Sequence, residues 1–148
     1  MLLSDDGIGS RVSAELRKRK WLAGAQIVDA GCALASVLLS HEEADVIVIL
    51  DAVKGGGAPG DVYRFRIDEL PGVRRARSPY KSVHEIGLED SVALARLAWR
   101  RTPDIIAIGI EPASLETGLE LSPALSLRFG SIVDYVEKEI KRMAEGGE

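Results

Sequence analysis

Asp45-Val46-Ile47-Val48-Ile49-Leu50, followed at once by Asp51, decides the fold. Successive side chains of a strand point to opposite faces, so an unbroken apolar run is covered on both sides. Such runs belong to parallel strands buried between helices. Ile105-Ile106-Ala107-Ile108-Gly109-Ile110 is a second run of the same kind. Val62-Tyr63-Arg64-Phe65-Arg66-Ile67 instead alternates apolar with polar, which predicts a strand with one polar face at a sheet edge. A short strand is read over 25–29, punctuated by Gly31. The 54–60 stretch, KGGGAPG, reads as a loop.

Helical spacing fills the gaps between strands. Ile8, Val12 and Leu16 recur every four residues, so 8–19 reads as a helix whose basic end, Arg17 to Lys20, is solvated. Residues 33–40 read as a second helix. Residues 88–101 read as a third, with Val92, Leu94, Ala95, Ala98 and Trp99 inward and Pro103 ending it. Ser122 before Pro123 is an N-cap followed by proline at the first helical position. It opens a last helix over 123–144, with Leu127, Val133, Val136, Ile140 and Met143 as its apolar stripe. The 71–83 segment, with two prolines and Arg74, Arg75, Arg77 and Lys81, reads as an exposed, mobile loop. Strands alternating with helices predict an α/β fold: a twisted, mostly parallel sheet flanked by helices on both faces. No repeat or linker divides the chain, so residues 1–148 are read as one domain.

Composition narrows the function. The 148 residues are 46% apolar and 28% charged, which is globular composition. Nineteen basic against 23 acidic residues give a net charge of −4, with no general pull toward nucleic acid. No apolar run approaches the ~18 residues of a membrane span, and the N-terminus has no signal-peptide pattern, so the expected compartment is the cytoplasm. Cys32 is the only cysteine, which excludes an internal disulfide and a cysteine-rich zinc module. Cys32 itself reads as a small buried residue and His41 as a solvated helix end.

Ligands of open parallel sheets bind beyond the carboxyl ends of the strands. Asp51, Asp29 and Glu111 each follow a predicted strand, Asp5 and Asp6 precede the first helix, and His84 precedes the third. Asp6, Asp51 and His84 combine two carboxylates with one imidazole, a donor set that suits zinc, nickel or another divalent transition metal. They lie 45 and 33 residues apart, so spacing alone says little. The competing structural readings are helix capping for Asp5 and Asp6, a strand-end turn for Asp51 and a helix start for His84. Other motifs fail. Gly55 to Gly60 has P-loop glycine spacing, but Asp61-Val62 replaces the Lys-Ser/Thr that phosphate needs. Asp6-Gly7-Ile8-Gly9-Ser10 lacks the third glycine of a dinucleotide fingerprint, and no Gly-x-Ser-x-Gly elbow occurs. Glu111-Pro112 stands where a phospho-acceptor receiver domain requires lysine.

The ordered set LLSDDGIGSRV, IVDAGC, VIVILDAVKGGGAPGDVYRF, SVHEIGLEDSVALARL and IGIEPASLETGLELSPAL resembles the hydrogenase maturation endopeptidases along essentially the whole chain. The resemblance implies removal of a short C-terminal extension from the large-subunit precursor of a nickel–iron hydrogenase, after nickel insertion. It places the family's metal-contacting acid on Asp6, its strand-end aspartate on Asp51 and its histidine on His84. The nickel would arrive with the precursor, and zinc or cadmium would be alternative occupants. The family's Asp-Gly-Gly-Thr segment, linked to substrate selection, falls on Asp29-Ala30-Gly31-Cys32, where two positions differ. This makes Asp29 and Gly31 candidate substrate contacts, and the basic 71–83 loop a further one. Family members open with a hydrophobic strand ending in Gly-x-Gly-Asn, which this chain lacks. On that basis the chain is expected to be N-terminally truncated and poorly stable, since about six buried residues at ~1.5–3 kcal/mol each rival a domain's net stability. Competing expectations are a non-catalytic nickel-dependent maturation or scaffold protein of the same fold, and an unrelated metal-dependent amidohydrolase.

Overall fold

The β-branched run at 46–50 extends into the longest strand, and everything else is arranged around it. The computed structural model describes residues 4–19, 25–67, 81–82, 88–116 and 118–146. Strand β1 spans Val46–Lys54, β2 Val62–Arg66, β3 Lys81–Ser82 and β4 Asp104–Ile110. Helices α1 (Ile8–Arg17), α2 (Leu34–Leu39), α3 (Leu88–Ala98) and α4 (Pro123–Ala144) flank them, and a 3-10 turn, Asp5–Gly7, leads into α1. The strand order is β2-β4-β1-β3.

The two apolar runs pair in parallel, from Val46 opposite Asp104 to Ala52 opposite Ile110. Both edges are antiparallel: β2 on β4, and β3 on the end of β1. The α/β class with helices on both faces therefore stands, while among the described residues the sheet is mixed rather than mostly parallel. The edge position of β2 agrees with its alternation. Its outward Arg64 reaches α4, with Nε 3.1 Å from Glu139 Oε2.

Side-chain alternation produces two cores. On one face Ile49, Phe65, Ile105 and Ala107 pack with Leu38 of α2 and Leu88, Val92, Ala95 and Trp99 of α3 and its end. On the other, Ala52, Ile108 and Ile110 pack with Ile8, Val12 and Leu16 of α1 and Leu125, Ile132, Val133 and Val136 of α4. Trp99 Nε1 donates to the Leu38 carbonyl at 3.0 Å, fastening α3 to α2.

Several expectations change. Residues 25–30 carry no regular structure, so the strand read over 25–29 is not formed. An apolar pair is not enough for a strand, which needs a hydrogen-bonding partner. Ile27 packs on the core but Val28 is exposed. In α3, Leu94 and Ala98 point outward. In α4, Leu127 is 89% exposed, and Leu125, Phe129, Ile132, Val133, Val136 and Ile140 hold the inward stripe. The helix begins at Pro123 with its cap as read, Ser122 Oγ accepting from Leu125 N–H at 3.3 Å. The 71–83 loop lies outside the described residues except for Lys81 and Ser82, which form β3. None of the described helices is long and apolar enough to cross a membrane.

Candidate functional site

The site is built where the start of α1 meets the carboxyl end of β1. At Gly9 the helix backbone comes so close to β1 that a Cβ there would sit 2.6 Å from the Leu50 carbonyl oxygen. Only glycine allows that approach. It draws the Asp5-Asp6-Gly7 turn onto β1, in which Asp51 follows Leu50. Asp6 is half-buried, with its Oδ1 shielded from solvent. Asp51 is buried, and its Oδ1 accepts from the Ala52 N–H at 2.9 Å. Because β1 runs on to Lys54, Asp51 lies within the strand rather than just after it. Across the sheet it faces Gly109, which in turn faces Tyr63.

Asp5 has a role of its own. It is fully buried, and its carboxylate accepts three backbone N–H groups: Ala113 at 2.8 Å and Ser114 at 2.9 Å on Oδ2, and Ser122 at 2.7 Å on Oδ1. The Ser4 and Asp5 N–H groups donate to the Glu116 and Ser114 carbonyls in return. Asp5 thus stitches the turn that carries Asp6 to the loop after β4. It does not cap α1, whose start has no side-chain cap.

Asp29 and Gly31 are exposed. Asp29 Oδ1 accepts from Ser10 Oγ at 2.9 Å and from Gly31 N–H at 3.2 Å, and Gly31 takes φ +50. Ser10 lies in the first turn of α1, so this bond brings the 29–31 segment to the same end of the helix as Asp6. His84 lies outside the described residues. Ser82, two residues before it, pairs with Val53, two residues after Asp51. Among the described residues no group of three or more His, Cys, Asp or Glu side chains is close enough to hold a metal ion.

Cys32 is exposed rather than buried, because its segment is irregular rather than a strand end. His41 sits at the end of α2 with Nδ1 2.7 Å from the Val37 carbonyl. Glu111, a strand-end acid in the sequence, is buried and engages the glycine-rich loop. Its Oε2 accepts from Gly55 N–H at 2.7 Å and from the Tyr63 hydroxyl at 2.6 Å. That hydrogen bond, made by the neutral phenol, pushes the Tyr63 pKa up. Asp61 is shifted the other way: the Ala58 N–H and Arg128 favour its ionised form and hold its pKa down.

A three-layer α/β domain with a parallel pair of strands at its centre is an architecture that binds ligands beyond the carboxyl ends of its strands. The hydrogenase maturation protease family model matches residues 10–139, and the chain belongs to that family. It is 28% identical to the hydrogenase 2 maturation protease of Escherichia coli, over 92% of this chain and 82% of that protein. It is 29% identical to the hydrogenase expression/formation protein HupD of Thiocapsa roseopersicina, over 99% of this chain and 65% of that protein. Against HupM of Azotobacter chroococcum it spans 68% of the relative's length. Its fold matches the E. coli hydrogenase maturating endopeptidase HybD with a TM-score of 0.76 and 28% identity, over 96% of this chain and 87% of that one. The [NiFe] hydrogenase maturation protease HybD of Thermococcus kodakarensis matches with a TM-score of 0.74 and 26% identity, over 93% and 90% of the two chains.

Proposed function

We propose that the protein is an endopeptidase that removes the C-terminal extension of a nickel–iron hydrogenase large-subunit precursor after nickel insertion. In this reading Asp6, Asp51 and His84 grip the nickel that the precursor carries, and Asp29 and Gly31 contact the precursor beside it. The observation that carries it is the Gly9–Leu50 contact, which draws the Asp6 turn onto the strand that holds Asp51. The β3 pairing adds support, because Ser82 lies opposite Val53 of β1 and His84 follows it by two positions in the sequence. The donor set is right for a borderline divalent ion, and it would also accept zinc or cadmium.

Metal recognition makes processing conditional. Two carboxylate oxygens and one imidazole nitrogen bind an ion that is presented only once the precursor is loaded. The peptide beyond that ion is then fixed in place, which supplies the orientation that peptide hydrolysis needs. A cytoplasmic location belongs to the same proposal. The test is to incubate the protein with precursor, with and without nickel, and to weigh the large subunit by mass spectrometry. Shortening of the loaded precursor alone is expected. Asp6→Asn, Asp51→Asn and His84→Ala are each expected to cost more than the ~10–100-fold that losing a ligand's supporting partner costs. Binding of the loaded precursor without shortening would instead select the non-catalytic scaffold. Cleavage by His84→Ala at the wild-type rate would refute the assigned site.

A further inference from the structure

The stretch leaving β1 is Gly55-Gly56-Gly57-Ala58-Pro59-Gly60, a composition that leaves a loop many backbone conformations. Here it is pinned from below. Glu111 Oε2 accepts from Gly55 N–H at 2.7 Å, from Gly57 N–H at 3.4 Å and from the Tyr63 hydroxyl at 2.6 Å. The Tyr63 hydroxyl accepts in turn from Gly57 N–H at 2.9 Å. Arg128 of α4 adds a second clamp, donating to the Pro59 carbonyl at 2.7 Å and to Asp61 Oδ1 at 3.0 Å.

The glycines are required by this arrangement. A Cβ on Gly55 would lie 2.6 Å from Tyr63 Cζ, and one on Gly57 would overlap the Tyr63 hydroxyl. Gly56 and Gly60 take φ +85 and +82, which side chains disfavour. A buried carboxylate is costly unless it is hydrogen-bonded. Glu111 meets that condition by holding the amides of an exposed loop. The loop begins four residues after Asp51, and Tyr63 lies in the same cross-sheet row as Asp51.

We infer that Glu111 and Tyr63 are positioning residues that hold the 55–60 loop as a preformed rim of the metal-reading site, against which the precursor's polypeptide docks. This rests on the function proposed above. They act through the loop on precursor binding and leave the reacting groups untouched, so they set KM rather than kcat.

The test uses the whole protein with Tyr63→Phe, Glu111→Ala and Glu111→Gln, and reads two quantities. The first is hydrogen exchange at the Gly55 and Gly57 amides. Glu111→Ala is expected to speed it about ten- to a hundredfold at Gly55, the factor that losing a charge-assisted hydrogen bond implies, and Tyr63→Phe about two- to tenfold at Gly57, which loses a neutral hydroxyl acceptor. Glu111→Gln, which keeps an acceptor oxygen for Gly55, is expected to restore most of the protection. The second is the kinetics on nickel-loaded precursor, where KM is expected to rise about tenfold in Tyr63→Phe with kcat within about twofold. Unchanged exchange in Glu111→Ala would overturn the pinning, and faster exchange with wild-type KM would overturn the docking role. A wild-type protein that fails to shorten the precursor would refute the proposed function, and the exchange result would still decide whether Glu111 and Tyr63 set the loop.

Discussion

Asp5→Asn removes one oxygen and one charge from a buried carboxylate while keeping its shape. In the native protein Oδ2 serves Ala113 and Ser114, and Oδ1 serves Ser122. The asparagine oxygen can take the pair, which leaves its NH₂ facing the Ser122 N–H. One unsatisfied buried donor costs ~1–3 kcal/mol, and loss of charge assistance on the other two bonds adds ~1–2 kcal/mol. The total is about 2–5 kcal/mol. For a chain of this size each 1 kcal/mol lowers Tm by roughly 2–4 °C, so Tm should fall by ~4–20 °C. Calorimetry or circular dichroism measures it directly, with the urea midpoint at constant m as a check. Because Asp5 fixes the turn that bears Asp6, loaded-precursor cleavage should also fall in the folded variant below its melting point. A Tm within about 1 °C of wild type, below the smallest shift worked out above, would refute the role given to Asp5.

Other perturbations test neighbouring joints. Gly9→Ala should force α1 off β1 at a cost of ~1–3 kcal/mol and lower both the urea midpoint and cleavage; a wild-type midpoint would remove the close contact from the account. Trp99→Phe strands the Leu38 carbonyl and should cost ~1–3 kcal/mol in denaturant unfolding, against no change if the hydrogen bond is idle. Tyr63, whose folded pKa is raised, stabilises the fold below the ordinary phenol value of ~10, and that contribution is lost as pH rises through the folded value. The tyrosinate absorbance lost in Tyr63→Phe should therefore appear above ~10, and its appearance at or below that value would contradict the Glu111 contact. Asp61, whose folded pKa is lowered, stabilises above the ordinary ~3.9, and the contribution is lost as pH falls through the depressed value. Asp61→Asn should flatten that acid limb of the melting profile, and an unchanged limb would contradict the Arg128 clamp.

The central strands were legible because VIVIL and IIAIGI have only one solution, burial on both faces. Ser122-Pro123 marked the start of α4 for an equally local reason. Residues 25–29 misled because Ile27 and Val28 show apolar character but not a hydrogen-bonding partner. Leu127 misled through helical phase, since the inward row passes through Leu125 and Phe129. Asp6 and Asp51 are candidates by residue type and place in the chain, and their joint role rests on the proposal above. The work of Asp5 could not be read that way, because its partners lie 108 to 117 residues away. Glu111 and Tyr63 were hidden for the same reason: their meeting depends on β2 lying beside β4 and on glycines that leave room for a phenol ring.

The most direct measurement of the central claim is anomalous diffraction from crystals of the protein soaked with cadmium as a stand-in for the precursor's nickel. A single peak is predicted, with an Asp6 oxygen, an Asp51 oxygen and an imidazole nitrogen of His84 all within about 2.0–2.6 Å of the ion. A peak elsewhere, or a His84 ring more than about 10 Å from both carboxylates, beyond any shared coordination sphere, would contradict it.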